Sequence, residues 1–514
     1  MSAVLADTRG RSHLDRRWIE VGLWAAMGLG LALCYVGQTL PIMTAGLLLL
    51  GGLALLRPDL ALLLVPLAAP LFLIPLVAPR SGRQIALPPH ELALLVSAAA
   101  ALPNLLTKCF RSFKSAPAGL HLGSAWLGQA TARHAPEALL LIAGVAGMWM
   151  AVPEPQARVD ALRAFRWFIA EPLIFVALIR VHVRWPVPGA PDDPLVQAQR
   201  LLSLFVIGGT AVALLGLLQF ASYLLHAQVA PESFAAGGGL AARIQRVTSV
   251  YGNPNNMALY LGRVWPLAAA LAMAGFRTKN QEPSTTVLGS WFLILGSLLC
   301  LAGVMISLSR GAWLGTGAAL IVLLLPVVRH RFGGRRLPMV LLSSAILGAV
   351  GALIFGLRGG PLGGSADVRI LLWQESIKLM ELRPLGVGLD QFFYYHYPAY
   401  GRSLIDPALV NTQERYARQP HNLLFEIWFN LGPLGLLAFG WLLARCLRRT
   451  RAKLRFPPSA DAALIARGVL AALAAALVHG MVDSFYFWPD IAIAFWLLLG
   501  VSELIEQHSR TSAG

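Results

Sequence analysis

From Trp18 onward the chain is a succession of apolar runs near twenty residues long, separated by short polar or basic stretches. Inside a bilayer every backbone amide and carbonyl must find its partner within the protein, which leaves helices or closed barrels. A run of this length crosses the hydrocarbon as a helix, and none of the runs shows the apolar–polar alternation of a barrel strand. The pattern predicts an all-α, polytopic transmembrane helical bundle. Composition agrees: 57% of the 514 residues are hydrophobic and 13% charged, and the mean hydropathy is +0.64, more apolar than a soluble core requires. Met1 to Trp18 is polar and basic, and the run behind it is too long and too poorly matched to a cleavage site for a removable signal. It is expected to remain as the first span.

About twelve to fourteen spans are predicted, the fullest set being 18–37, 41–56, 60–78, 91–106, 137–152, 164–180, 200–226, 256–275, 287–307, 311–328, 338–357, 421–446, 462–481 and 485–505. With the N-terminus inside, the loops holding Lys108, Arg111 and Lys114, then Arg329 to Arg336, then Arg445 to Arg455, all face the cytoplasm, as the positive-inside bias requires. The net charge of +17 is then mostly topology, and nucleic-acid binding is disfavoured because no basic segment is interleaved with aromatics in a folded polar domain. Four parts follow: N-terminal spans (1–200), a transmembrane core with arginine motifs (201–357), an extracytoplasmic loop subdomain with short helices (358–420) and C-terminal spans (421–514). Cys34, Cys109, Cys300 and Cys446 are scattered without metal-ligand spacing and are expected to be free thiols.

The same topology puts four polar segments on the outer side: the 227–255 loop, the Ser309-Arg310-Gly311 turn, the 358–420 stretch and the His479 to Asp483 turn. The third is far longer than an ordinary connection, which points to function. Arg243 and Arg246 lie three apart and share a face if helical, just before Asn253-Pro254-Asn255, which reads as an N-cap and first helical position. Free amides there beside arginines would form an anion site, unless this is an ordinary cap with arginines snorkelling to lipid phosphates. Arg310 sits between two apolar runs, a costly place for a charge unless it is paired or functional. Arg369 opens an amphipathic helix expected to reach about Glu381, with Arg383-Pro384 as its stop, and is either an anion ligand or a membrane-surface anchor. Several bidentate guanidinium groups bind a diphosphate without a metal.

Pro420-His421-Asn422 stands at the mouth of a long apolar helix, directly after the long polar stretch. His421 is a helix cap or solvated side chain, or a proton acceptor near neutral pH. Glu426, five residues on, lies off the His421 face, so Asp483 is the better partner for orienting the imidazole or pairing an arginine, although it too could be a satisfied interfacial carboxylate.

Taken in order, Arg246…Gly252-Asn253-Pro254-Asn255, Ser309-Arg310-Gly311-Ala312, Arg369…Trp373, Pro384-Leu385-Gly386-Val387-Gly388, Pro420-His421-Asn422…Leu431-Gly432…Gly435 and His479-Gly480…Asp483 resemble the O-antigen ligase and polymerase superfamily. The likeness runs from about residue 200 to 505; Asn430, where similar sequences often carry an acid, and the number of spans depart from it. The resemblance implies a GT-C type, metal-independent inverting glycosyltransferase of the bacterial cytoplasmic (inner) membrane, needing no cofactor. Its implied donor is an undecaprenyl diphosphate-linked glycan and its acceptor a hydroxyl outside the membrane, on lipid A core for a ligase or on a second carrier-linked glycan for a polymerase. By this likeness Arg310 and Arg369 hold the donor diphosphate and His421 is the base, while Arg246 and Asp483 match positions of less settled role; Arg243, Asn253, Asn255 and Asn422 are the further substrate-binding candidates. A flippase or other transporter of lipid-linked glycans is the alternative from another class. Against it, the charged residues gather on one outer side, where a transport path would place them at mid-membrane.

Overall fold

The computed structural model describes residues 13–37, 39–77, 84–114, 124–185, 187, 189–229, 246–277, 289–332, 365–400, 404–410 and 412–512. Almost all of these are helical, in an all-α bundle, and six helices are long and apolar enough to cross a membrane. Every expected span except 338–357, which lies outside the described residues, overlaps helical structure.

The N-terminal part contains α1 (His13–Val36), α2 (Leu40–Leu56), the short pieces α3 (Pro58–Leu62) and α4 (Leu64–Ala68), α5 (Pro89–Lys114), α6 (Ser124–Trp149), α7 (Pro155–Phe165) and α8 (Glu171–Arg184). The run expected as one span at 60–78 breaks into α3, α4 and a single tight turn, Ala69–Leu71, then a two-residue strand, Leu76–Val77, paired antiparallel to Gln84–Ile85. Pro66 and Pro70 lie in this stretch, and each removes a helical hydrogen-bond donor. Between α7 and α8 the helix widens into one π-helical turn, Arg166–Ala170.

The core consists of α9 (Pro194–Val229), α10 (Pro254–Arg277), α11 (Ser290–Ile306), α12 (Arg310–Phe332), α16 (Leu423–Arg455), α17 (Ala460–Gly480) and α18 (Pro489–Thr511). Helix α10 packs against α9, α11 and α17, α17 also against α12, and α16 against α6. The first seventeen residues of α18, Pro489 to Ile505, are all buried, so this helix runs through the centre, whereas α1 and α2 leave Trp18, Leu29, Val36 and Leu48 exposed on the periphery. Between α12 and α16 the described chain forms α13 (Ser365–Leu382) and the short helices α14 (Phe392–His396) and α15 (Pro407–Val410).

One irregularity positions the site. Helix α16 is broken at Gly432, whose φ of 65° lies in the left-handed region, and the next residue is Pro433. Pro433 has no N–H to give the Phe429 carbonyl one turn back. The amides of Val387 and Gly388 take that carbonyl instead, at 2.9 and 3.0 Å. Gly386, at φ 94°, must be glycine for the segment to come so close: a Cβ would lie 2.6 Å from the Trp428 carbonyl oxygen. The Leu389 amide then reaches the Gly147 carbonyl of α6 at 3.0 Å. The Pro384 to Gly388 motif thus stitches the segment after α13 onto the kink of α16 and the end of α6. Asn430 supports the same joint, accepting the Asp390 amide at 2.7 Å and donating to the Glu426 carbonyl at 2.8 Å. A carboxylate could accept there but not donate, which accounts physically for an amide at this position.

Candidate functional site

Three separate elements converge at His421. Asn422 caps α16, accepting from the Leu424 and Phe425 amides at 2.9 and 3.4 Å, and its amide donates to the Met481 carbonyl at 2.9 Å. This ties the mouth of α16 to the turn after α17, which brings Asp483 alongside. His421 takes φ 52°, a conformation that costs a non-glycine residue energy and persists only where its surroundings hold it. Those surroundings include α13: Arg369 and Trp373, four apart, share a helix face. The Trp373 indole donates to the Pro420 carbonyl at 3.0 Å and the Arg369 guanidinium to Asp483 Oδ2 at 3.2 Å.

Asp483 is buried; it bonds Arg369 through Oδ2 and, through Oδ1, the His421 Nδ1 at 3.3 Å and the Ser484 amide at 2.8 Å. Burial alone would raise its pKa, but the hydrogen bond and charge of His421, with His479 and Arg369 behind them, hold it well below the usual carboxylate range. At His421 burial opposes the charged form, yet the hydrogen bond and charge of Asp483 prevail and the imidazole is raised above its ordinary value. With Nδ1 turned to Asp483, Nε2 is the nitrogen left to face a substrate; the ring keeps 29% of its side-chain surface.

Arg246 donates to the Ser307 carbonyl at 3.0 Å and to Asn255 Oδ1 at 2.7 Å, while Asn253 Oδ1 accepts the Asn255 amide at 2.8 Å at the start of α10. Its guanidinium pKa is lowered, first by burial and then by the positive charges of Arg369 and Arg310. Arg369, Arg310 and Asp483 thus all lie within electrostatic reach of Arg246. Guanidinium groups gathered in this way favour a multiply charged anion. Arg310 opens α12, and Gly311 behind it lets the helix start press on His479: a Cβ there would lie 2.6 Å from the imidazole ring.

The structure thus brings together His421, Asn422, Asp483, Arg369, Arg246, Arg310, Asn253 and Asn255 at one end of the bundle; Arg243 lies outside the described residues. Glu426 is turned away, fully buried, accepting from the Ser484 hydroxyl at 2.6 Å and the Phe485 amide at 3.0 Å, and so holds the 483–485 turn against α16. Two participants were not assigned from the sequence: Trp373, which fixes the backbone at Pro420, and Glu414, whose carboxylate lies 3.9 Å from His421 Nε2. The four-residue spacing from Arg369 could have flagged Trp373. Glu414 carries no such signal, seven residues before His421 in a polar stretch. Among the described residues Cys34, Cys300 and Cys446 are free thiols.

Fold and site define a polytopic α-helical membrane protein with an arginine-rich, histidine-bearing site at one end. Residues 295–440 match the family model described as O-antigen ligase, a stretch that includes Arg310, Arg369 and His421 and supports the superfamily likeness drawn from the motifs. No curated protein matches the chain.

Proposed function

We propose that the protein is a membrane glycosyltransferase that moves a glycan from an undecaprenyl diphosphate carrier to an acceptor hydroxyl on the outer face of the bacterial cytoplasmic membrane, acting as an O-antigen ligase. The observation that carries this reading is the coupling of base and anion site through one residue: Asp483 orients His421 with one oxygen and Arg369 with the other. A sugar diphosphate already has a good leaving group, so the protein has to stabilise departing charge and activate the incoming hydroxyl. Arg310 and Arg369 do the first, with Arg246 and the start of α10 beside them. They supply the positive charge that a metal supplies elsewhere, so the transfer needs no added metal. His421 Nε2 takes the acceptor proton while the acceptor oxygen attacks the anomeric carbon from the side opposite the diphosphate, which inverts that centre. Lipid A core is the acceptor in this reading, and a second carrier-linked glycan is the alternative within the same superfamily.

The test is transfer by purified protein in detergent, with chelator present, from a defined lipid diphosphate glycan to lipid A core or to a second carrier-linked glycan, the product identified by mass. Core-linked glycan is the expected product. A lengthened carrier-linked glycan would make the protein a polymerase, and no transfer to either would overturn the reading.

A further inference from the structure

Both ring nitrogens of His421 face a carboxylate. Nδ1 meets Asp483 at 3.3 Å, but Nε2, the catalytic nitrogen of the reading above, stands 3.9 Å from Glu414 Oε2. That gap is too wide for a hydrogen bond between them and wide enough for substrate atoms to bridge.

Glu414 is held in place with some care for a residue whose side chain is 36% exposed. Its amide donates to Thr412 Oγ1 at 3.2 Å, which caps the single turn Gln413–Tyr416, and its carbonyl lies 2.7 Å from His396 Nε2. His396 is fully buried, with its Nδ1 2.8 and 3.0 Å from the two oxygens of buried Glu375. Glu375 belongs to α13, the helix that presents Arg369 and Trp373 to the site. A histidine–glutamate pair in the interior, with no part in the chemistry above, therefore fixes the Glu414 backbone to the helix that holds the diphosphate side of the site. Such an investment in a buried polar pair fits a residue whose placement matters.

We infer, on the glycosyltransfer reading above, that Glu414 is an acceptor-binding carboxylate that selects a sugar hydroxyl with a hydroxyl neighbour. One hydroxyl carries one proton and cannot donate to both Nε2 and Glu414. Two adjacent hydroxyls on a sugar ring can: the attacking one gives its proton to Nε2, and its neighbour donates to Oε2. In the step itself a bond forms between the attacking oxygen and the anomeric carbon of the donor, and the bond from that carbon to the diphosphate oxygen breaks, the electron pair leaving with the diphosphate. The proton rests on Nε2 and later passes to water. Glu414 exchanges no proton in this step; it accepts the hydrogen bond of the neighbouring hydroxyl and lies on the side of the imidazolium as it forms.

The experiment measures initial rates of transfer for the parent, Glu414→Ala and Glu414→Gln, varying acceptor at saturating donor and then donor at saturating acceptor, with whichever of lipid A core and carrier-linked glycan the parent uses. Alanine should raise the acceptor KM by about tenfold to a hundredfold, the scale of a lost hydrogen bond to a charged group, and leave the donor KM unchanged. Glutamine keeps a carbonyl acceptor and should recover part of the loss. The unchanged donor KM also reports that the variant is folded. A parental acceptor KM in Glu414→Ala, or equal increases for donor and acceptor, would overturn the inference and leave the glycosyltransfer reading standing. A parent that transfers to neither acceptor would remove both.

Discussion

The two ends of helix α16 use the same side chains to opposite purposes. Its mouth meets Asp483 and, through it, Arg369; roughly 35 Å further along the helix path, at ~1.5 Å of rise per residue, Arg445 and Arg449 enter a second ionic cluster. There Arg180 holds Glu503 at 2.7 and 2.8 Å and Glu137 at 2.7 Å, Arg445 adds a second bond to Glu137, and Arg449 bonds Glu503 at 2.9 Å and Glu506 at 2.8 Å. Carboxylates and guanidinium groups alternate in that cluster, and α6, α8, α16 and α18 are cross-linked by it. At the His421 end Asp483 bonds Arg369 and His421, with Arg246 nearby, beside a strained histidine and a half-open carboxylate. Arginine in a helical bundle is thus read by its company: among matched carboxylates it fastens helices, and beside a histidine at the end of the bundle it suits the anion site proposed above. The lesson also separates the two ends by what a substitution should do.

The largest contrast is one of sidedness. In a cysteine-free background Asp406→Cys should react fully with an impermeant thiol reagent on intact cells, and Ser459→Cys, at the start of α17, not at all until the membrane is opened. Labelling in the reverse sense would turn the bundle over and place the site inside.

Next in size is the anion site. Arg369→Ala and Arg310→Ala should each lower donor use by about a hundredfold or more, since a transition-state charge loses a fixed partner, and Lys should restore only part because a point charge lacks the guanidinium fork. Turnover assays with both Lys variants decide it, and parental rates in both would break the bidentate role.

Asp483→Asn should act more mildly and in a pH-dependent way. The imidazole works as a base only when neutral, so in the parent the transfer rate rises as pH climbs through a His421 pKa that Asp483 has raised. Losing that charge lowers the pKa, moving the rise to lower pH, and weakens the base, so the plateau falls. A pH–rate profile with an unmoved midpoint would remove Asp483 as the orienting partner.

The smallest effect on transfer belongs to the far end. Glu503→Gln deprives Arg180 and Arg449 of a shared buried partner, which costs on the order of 3 to 5 kcal/mol when one side of such a pair is removed. Thermal unfolding in detergent should shift down clearly, with transfer per folded molecule near the parental value. Loss of transfer without loss of stability would mean that the two ends are coupled.

The bundle was legible because hydropathy depends on runs of residues, and the runs are long. Helix ends were less so: the apolar run expected at 421–446 continues as helix to Arg455, since basic side chains leave the bilayer without leaving the helix. The break at Gly432 was hidden inside one apolar run, although the Leu431-Gly432-Pro433 sequence contains its cause. Of the site, Asn253 was readable as a cap because a cap acts on the next few residues, whereas the cap of α16 is Asn422 and not His421. Asp483 was readable as a candidate through shared topology, but its simultaneous hold on His421 and Arg369, 62 and 114 residues away, depends on how α13, α16 and α17 pack. Glu414 and the Glu375–His396 pair behind it were invisible, because nothing in a polar loop reveals which residue turns inward.

Whether His421 takes a proton from the acceptor is the centre of the account, and Asn at that position isolates it, because Asn tolerates the left-handed backbone that His421 adopts and cannot act as a base. Purified His421→Asn protein should bind the lipid diphosphate donor as the parent does and, in a single turnover with acceptor added, form no product above the uncatalysed level. Donor binding with near-parental transfer in the same sample would contradict the account and leave His421 as part of the helix start alone.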